Sequence, residues 1–300
     1  MALRVGIQMD PLENVKIDGD TSFALAEVAQ ARGAELFVYG PNHMSYEQGR
    51  VTAWVRPAKV QRVRETPGVF GEAVKLDLAK DLDVILMRQD PPFDLNYITA
   101  CHLLELISGE TLVVNDPEGV RSSPEKIFPL LHPEIMPPTL VTREMRDILA
   151  FREQHKDIIV KPIYGHGGAG VFRLKPDDSN LDSLLELFFT HSREPLMVQA
   201  FLPAVSEGDK RIILIDGEPV GAINRRPQTG QVRSNLVVGG TAEKSELSDA
   251  DMRICETIGP ELKRRGLILA GIDVIGGRLT EVNVTSPTGV QAIKALSGID

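Results

Sequence analysis

The sequence contains little cysteine and little histidine. Its 300 residues include two cysteines, Cys101 and Cys255, which lie far apart and outside any CxxC pattern, and six histidines without the spacing of metal ligands. We therefore expect neither a disulfide scaffold nor a zinc site built from histidine and cysteine. The same cysteine usage favours a reducing compartment.

Long apolar runs and an excess of positive charge are also missing. No run approaches the roughly 20 apolar residues that a membrane-spanning helix needs, and the N-terminal segment MALRVGIQMD lacks the layout of a signal peptide. We therefore expect a cytoplasmic protein with no membrane partner. The net charge of −9 argues against a nucleic-acid partner, although a few local Lys and Arg residues can still serve a pocket for a small anion.

The composition is that of an ordinary globular protein with more than one lobe. Apolar residues make up 42% and charged residues 25% of the chain, and a chain of this length usually exceeds one small core. Predicted strands and helices alternate in the first third, which indicates an open, largely parallel sheet. Asp10 and Arg88 lie at the ends of predicted strands, where such sheets bind ligands. The segment Ser122–Lys126 has the capping serine, proline and early glutamate of a helix start, and we place the first domain boundary there.

A hairpin near the C-terminus carries a pattern of oxygen ligands. In Leu279–Val284, Glu281 and Asn283 are two residues apart and point to one face of the strand, while the valines between them face a core. Two carboxylates and an amide oxygen suit Mg²⁺ if Asp273 on the partner strand joins them. This requires a three-residue or bulged turn around Gly276–Gly277, because a plain two-residue turn would point Asp273 away. The alternative is an ordinary solvated strand face.

A glycine-rich loop lies between two predicted strands. Gly165, Gly167 and Gly170 match GxGxxG, but the loop leads into the strand-like segment 171–174 rather than into a helix. This disfavours a dinucleotide-binding turn and favours a flap over ATP phosphates. Lys161 ends the preceding strand and is placed to reach a phosphate. The alternative is a surface loop with a solvated lysine.

Further candidates follow this loop. Gln199–Leu202 is a mixed polar and apolar strand end that could pair with adenine through its backbone, or could be plain core, and Glu207 could hold ribose hydroxyls. A local excess of basic residues comes next and would suit anion binding, unless these side chains are simply solvated; its members are Lys210, Arg211, Arg225, Arg226 and Arg233.

Several segments, in the right order along nearly the whole chain, resemble the bacterial glutathione synthetases of the ATP-grasp superfamily. The Asp273 and Glu281 motif is shared by ATP-grasp enzymes at large, whereas the Arg88 segment and the stretch after Asn283 are far more specific. The similar segments are Met9–Pro11, Asp83–Asp94, Lys161–Pro162 with the glycine loop, Glu207–Arg211, Gly271–Gly276 and Leu279–Thr288.

The resemblance implies an α/β (α+β) ATP-grasp fold in three domains. These would be an N-terminal open α/β domain at 1–122, a central lid domain at 123–202 and a C-terminal ATP-grasp domain at 203–300. It also implies ATP as co-substrate and Mg²⁺, with Mn²⁺ as the alternative metal. The implied reaction joins γ-glutamylcysteine to glycine and gives glutathione, ADP and phosphate. A homo-oligomer, in particular a homotetramer, is implied as well.

The resemblance also implies roles for individual residues. The ATP contacts would be Lys126, Lys161, Gly165, Gly167, Gly168, Gly170, Gln199, Ala200, Phe201, Leu202 and Glu207. The metal ligands would be Asp273, Glu281 and Asn283, and the peptide pocket would include Asp10, Arg88, Ser286 and Thr288. The reacting centre would be lined by Arg211, Arg225, Arg233 and Asn235, with 228–241 as a closing loop.

Two departures and three rivals accompany this interpretation. Ala200 and Phe201 stand where relatives carry a polar residue and a tyrosine, and the family usually continues into another helix beyond the position of Asp300. The nearest rival is another ATP-grasp ligase, acting on D-alanine or on a ribosomal tail, but the Arg88 segment speaks against both. A non-catalytic nucleotide-binding module would more often have lost one of the ligands or lysines, and a Rossmann dehydrogenase would need a helix after the glycine loop.

Overall fold

The computed structural model describes residues 2–227 and 241–299, whose strands form three sheets. Arg233, Asn235 and nearly all of the predicted closing loop lie outside the described residues. Within the described part of the chain, no helix has the length and apolar character to cross a membrane.

The first sheet carries a parallel centre with antiparallel additions on one side. Its strand order is β3-β4-β2-β1-β7-β8, with β5 and β6 also paired to β4, and β2, β1, β7 and β8 run parallel. The strands are β1 (Arg4–Gln8), β2 (Glu35–Tyr39), β3 (Met44–Glu47), β4 (Arg50–Val60), β5 (Gly68–Phe70), β6 (Val74–Asp77), β7 (Val84–Met87) and β8 (Leu112–Val114). The accompanying helices are α1 (Thr21–Ala31), α2 (Leu78–Asp81), α3 (Leu95–Glu105) and α4 (Pro117–Arg121).

This topology brings two predicted site segments to one edge. β1 and β7 are parallel neighbours, and their carboxyl ends lead directly to Asp10 and Arg88. Arg88 N donates to Gln8 O at 2.7 Å, which continues the pairing to the edge of the sheet. The side chain of Asp20 caps α1 and accepts from Phe23 N at 2.6 Å, so the helix begins directly after the aspartate.

The second sheet is antiparallel, in the order β11-β10-β12-β9. The side chains of β10 alternate between two faces of the sheet. Ile158 and Val160 pack in a buried cluster with residues of two helices, α5 and α6, whereas Ile159 and Lys161 line a cleft on the opposite face. The strands are β9 (Thr139–Thr142), β10 (Ile158–Pro162), β11 (Phe172–Leu174) and β12 (Leu196–Ala200), and the helices are α5 (Met145–His155) and α6 (Leu181–His191).

The third sheet is also antiparallel, in the order β15-β14-β13-β16-β17. Its long helix begins at a capping box between Ser248 and Asp251 and packs apolar side chains against the sheet. The strands are β13 (Asp209–Ile215), β14 (Glu218–Arg226), β15 (Thr241–Lys244), β16 (Leu269–Ile275) and β17 (Arg278–Asn283), and the helices are α7 (Asp249–Arg264) and α8 (Val290–Ser297).

The predicted helix start in Ser122–Lys126 is wrong. The segment forms turns, and the Glu125 carbonyl accepts a hydrogen bond from Val282 N at 2.9 Å instead of closing a helical turn. Competition from a strand of the third sheet thus overrides the local helix signals. Short 3-10 helices occur at Leu12–Asn14, Pro41–His43, Phe128–Leu131, Pro133–Ile135 and Pro203–Ser206.

A buried amide ties the first sheet to the third. Asn115 follows β8 and donates from Nδ2 to Leu269 O at 2.8 Å and to Val284 O at 2.9 Å. Its Oδ1 accepts from Leu269 N at 2.8 Å. These bonds, together with a common apolar cluster, hold the edge carrying Arg88 close to the third sheet.

Candidate active site where two clefts meet

A deep cleft with an empty volume of about 880 Å³ lies between the second and third sheets. Most of the predicted ATP contacts line it, namely Lys126, Lys161, Gly165, Gly167, Gly168, Gln199, Ala200, Phe201 and Leu202. Gly170 and Glu207 lie outside its lining. Its size and its mixture of apolar walls with a few polar groups suit a nucleotide.

The segment Gln199–Leu202, which we call the hinge, lies at one end of this cleft and already forms backbone hydrogen bonds within the protein. Ala200 N donates to Pro138 O at 3.0 Å and Phe201 N donates to Asp157 O at 2.9 Å, so a purine would have to use the hinge's other backbone groups. The guanidinium of Arg173 lies 3.6 Å from the ring centroid of Phe201 and is paired with Asp157 at 2.6 Å. This contact holds the Phe201 ring against the Arg173 guanidinium.

Two buried lysines lie at the other end of the cleft. Lys126 Nζ is 3.2 Å and Lys161 Nζ is 4.0 Å from the same oxygen of Glu281. Lys126 also donates to the carbonyl of Gly165 at 2.5 Å, which connects it to the glycine loop. Burial lowers the pKa of Lys161, and Glu281 opposes this shift. The two cations are therefore concentrated where the phosphates of a nucleotide in the cleft would lie.

The predicted three-residue or bulged turn in the C-terminal hairpin is wrong, because the bulge that brings the carboxylates together lies in β17 and not in the turn. Gly276 and Gly277 alone form the turn, both with positive φ, at 55° and 70°. Val274 pairs with Leu279, and the register then shifts so that Asp273 pairs with Glu281. The extra residue between Leu279 and Glu281 thus brings the two carboxylates opposite each other.

The donor set at this position fits Mg²⁺. Asn283 Nδ2 donates to Gly271 O at 3.2 Å, so the amide oxygen is the atom left to act as a ligand. Among residues 2–227 and 241–299, no three or more His, Cys, Asp or Glu side chains form a metal-binding group, so the site depends on this amide oxygen beside the two carboxylates.

Two arginines neutralise the buried carboxylate of the set. Arg211 Nε lies 2.6 Å and Arg225 Nη2 lies 2.9 Å from Asp273 Oδ1. Burial alone would raise the pKa of Asp273, but the two guanidiniums outweigh it and hold the pKa below its ordinary value. The two arginines therefore stabilise Asp273 in its ionised form.

A second cleft, with an empty volume of about 1120 Å³, adjoins the first and contains the predicted reacting centre. The predicted residues that line it are Arg211, Arg225, Asn283, Ser286 and Thr288. Glu281, His166 and Gly167 line both clefts. The candidate metal ligands therefore lie at the junction of the two.

The predicted peptide-pocket residues Arg88 and Asp10 do not line the second cleft, but each contacts a residue that does. Arg88 is buried and donates to Pro287 O at 3.1 Å and to Ser22 Oγ at 3.0 Å, so it lies beside the cleft wall. Asp10 acts through Asp90, whose backbone N donates to the Asp10 carboxylate at 2.9 Å. The Asp90 carboxylate in turn accepts from Ser286 Oγ at 2.6 Å.

Sequence reasoning missed four side chains at this site. Asp209 pairs with Arg225 at 2.7 Å, Glu125 and Asp90 line the second cleft, and His166 lines both clefts. Each is adjacent to, or within, a segment that was singled out for another residue. Each of the four is close in sequence to a predicted site residue, but no spacing pattern marks it as functional.

Comparison with known proteins identifies relatives over the whole length. The family profile "Prokaryotic glutathione synthetase, N-terminal domain" matches residues 3–121, and the profile "Prokaryotic glutathione synthetase, ATP-grasp domain" matches residues 125–298. A glutathione synthetase of Mesorhizobium japonicum is 53% identical over 300 residues, covering 100% of this chain and 96% of the relative. One from Brucella melitensis is 54% identical over 298 residues, covering 99% and 95%.

Solved structures confirm the predicted fold. The ATP-grasp ligase PsnB in complex with a minimal precursor superimposes with a TM-score of 0.65 at 18% identity, covering 100% of this chain and 95% of that one. The D-cycloserine synthetase DcsG gives a TM-score of 0.65 at 15% identity, covering 95% and 92%. The predicted ATP-grasp fold is thus confirmed, and the chain belongs to the prokaryotic glutathione synthetase family.

Proposed function

We propose that this chain is an ATP-dependent ligase that joins γ-glutamylcysteine to glycine and releases glutathione, ADP and phosphate. The arrangement that carries the proposal is the junction of two clefts at Glu281. A lysine pair lies on the nucleotide side of this junction, and Arg211 and Arg225 line the other side. Phosphoryl transfer depends chiefly on positioning and charge stabilisation, which these cations supply.

The reaction would proceed in two steps across the junction. The cysteinyl carboxylate attacks the γ-phosphorus of ATP, the bond to the bridging oxygen breaks, and ADP leaves an acyl phosphate behind. The glycine amine then attacks the acyl carbon, phosphate departs with the bonding electrons, and the amine loses a proton. Lys126 and Lys161 would bind phosphate oxygens, while Arg88, Asp90 and Ser286 would orient the dipeptide.

Asp273, Glu281 and the Asn283 amide oxygen would hold Mg²⁺, with Mn²⁺ as the alternative. When bound there, the ion would supply positive charge that neutralises the phosphate groups of the nucleotide. Supporting this proposal, the bulge places two of the three ligands opposite each other, and Asn283 keeps its oxygen free of the bond to Gly271.

The decisive experiment measures ADP release by the purified protein with Mg-ATP, γ-glutamylcysteine and glycine, each omitted in turn. Release that requires both acceptors, with glutathione as the product, supports the proposal. ADP release that is independent of glycine would favour another ATP-grasp ligase and a different acceptor. Nucleotide binding without turnover in any combination would favour a binding module.

The proposal also covers the domain division, the oligomeric state and the cellular compartment. We propose the domain division 1–122, 123–202 and 203–300, which follows the change from one sheet to the next. We propose a homotetramer on the basis of the family resemblance, which size-exclusion chromatography with light scattering would test. We place the reaction in the cytoplasm because it consumes ATP.

A further inference from the structure

An aromatic contact joins the edge of the first sheet to the start of the glycine loop. The rings of Phe93 and Tyr164 are stacked, with centroids 6.1 Å apart and an interplanar angle of 26°. Phe93 also packs against the buried ring of Tyr97, at the start of α3, with centroids 5.2 Å apart. Phe93 thus contacts both the buried Tyr97 ring and the partly exposed Tyr164 ring.

Each ring belongs to a segment of one cleft. Phe93 lies in the segment that begins at Arg88 and includes Asp90, which lines the second cleft. Tyr164 directly precedes Gly165, which lines the nucleotide cleft and accepts the hydrogen bond from Lys126. The stack therefore connects the segment that carries Arg88 and Asp90 with the start of the glycine loop, which lines the nucleotide cleft.

The surroundings of the stack connect it to the reacting centre. A small cavity of about 280 Å³ lies beside the two rings and is also lined by Lys126 and Glu125. Lys126 contacts Glu281 at 3.2 Å, and Glu125 accepts from Thr285 Oγ1 at 2.8 Å. A shift of the Tyr164 ring would therefore change the surroundings of Lys126 in the first cleft and of Glu125 in the second.

We propose that the Phe93–Tyr164 stack is a positioning contact that makes the dipeptide and the nucleotide bind cooperatively. The inference rests on the proposed function. A dipeptide that orders the segment carrying Arg88 and Asp90 fixes Phe93, and Phe93 then holds Tyr164 and the glycine loop over the phosphates. Because coupling between two sites is reciprocal, nucleotide binding raises the affinity for the dipeptide by the same factor.

The size of the effect follows from the chemistry of the contact. An aromatic pair contributes about 1 kcal/mol beyond the area it buries, which corresponds to about a fivefold change in affinity. Tyr164 is 38% exposed, so its ring is not part of the core and its replacement should leave the fold intact.

The test compares nucleotide affinity with and without saturating γ-glutamylcysteine, using calorimetry with Mg²⁺ and a non-hydrolysable ATP analogue. The variants are Phe93→Leu, Tyr164→Leu and their combination. Tyr164→Phe keeps the ring, and Tyr46→Leu alters an exposed tyrosine on β3, 55% exposed and outside both clefts. Glutathione formation by the unaltered protein is measured in parallel.

In the unaltered protein, the dipeptide should increase the affinity for the nucleotide. Each leucine variant should reduce this enhancement about fivefold, whereas its nucleotide affinity without the dipeptide should change less than twofold. The double variant should lose no more than either single one, and the Tyr164→Phe and Tyr46→Leu variants should keep the enhancement. An enhancement unchanged in the leucine variants, or absent from a protein that makes glutathione, overturns the coupling. Failure to make glutathione at all would instead overturn the proposed function.

Discussion

Glu281 is the side chain on which most of the proposed site converges. It lines both clefts, lies within 4.0 Å of two lysines and stands opposite Asp273. Glu281→Gln keeps the shape but removes the charge, so we expect kcat to fall about a hundredfold or more. Steady-state ADP release measures this, with Glu118→Gln as a control at an exposed position on α4. Activity within a few-fold of the unaltered protein would refute the metal assignment.

Arg225 holds two buried carboxylates at once. It lies 2.7 Å from Asp209 and 2.9 Å from Asp273, and its own side chain is 5% exposed. Arg225→Met would leave both carboxylates without this partner, so the free energy of unfolding should fall by about 3–5 kcal/mol. The neighbouring Arg226 pairs with Glu243 at the surface, where Arg226→Met should cause a much smaller loss. Urea denaturation compares the two, and equal losses would contradict the buried network.

At the scale of elements, the two-glycine turn between β16 and β17 connects the strands that carry the candidate metal ligands. A Cβ at Gly276 would lie 2.8 Å from the Cβ of Ala204, and the residue has positive φ. Gly276→Ala should therefore destabilise the protein by about 2 kcal/mol, about half from the left-handed backbone and half from the clash. Gly49 is the matched control, because it also has positive φ in a hairpin turn but has no heavy atom within 4 Å. Equal losses in urea denaturation at the two glycines would show that the clash is relieved.

Local patterns predicted the elements whose partners are close in sequence. Alternation along Leu279–Val284 predicted a strand with Glu281 and Asn283 on one face, and the structure has β17 there, although the bulge that pairs Glu281 with Asp273 was not placed correctly. The segment Ser122–Lys126 failed because its decisive hydrogen bond comes from Val282, far away in sequence. Asp209 pairs with Arg225 across the β13–β14 hairpin, so the two are close in sequence, but nothing in the local pattern marks Asp209 as the partner of a buried arginine.

The whole molecule places one candidate nucleotide site across parts that are distant in sequence. Lys126 comes from the link after α4, Lys161 from the second sheet and Glu281 from the third. The phosphates of a nucleotide would bridge all three, so binding should stabilise the second and third sheets together rather than one of them. Alternation predicted Glu281, the strand end before the glycine loop predicted Lys161, and the family resemblance alone implied Lys126. The packing that brings the three together depends on contacts distant in sequence, such as those of Asn115.

This arrangement predicts that stabilisation by nucleotide requires the divalent ion. A non-hydrolysable ATP analogue at a hundred times its Kd should raise the free energy of unfolding by about 2.7 kcal/mol when Mg²⁺ is present. With EDTA the increase should be much smaller, because the phosphates would face Asp273 and Glu281 without a cation between them. Glu281→Gln should abolish most of the difference between the two conditions, whereas Glu118→Gln should keep it. Urea denaturation at fixed analogue concentration measures all of these values, and an equal increase with Mg²⁺ and with EDTA would show that the nucleotide binds without a metal held by these residues.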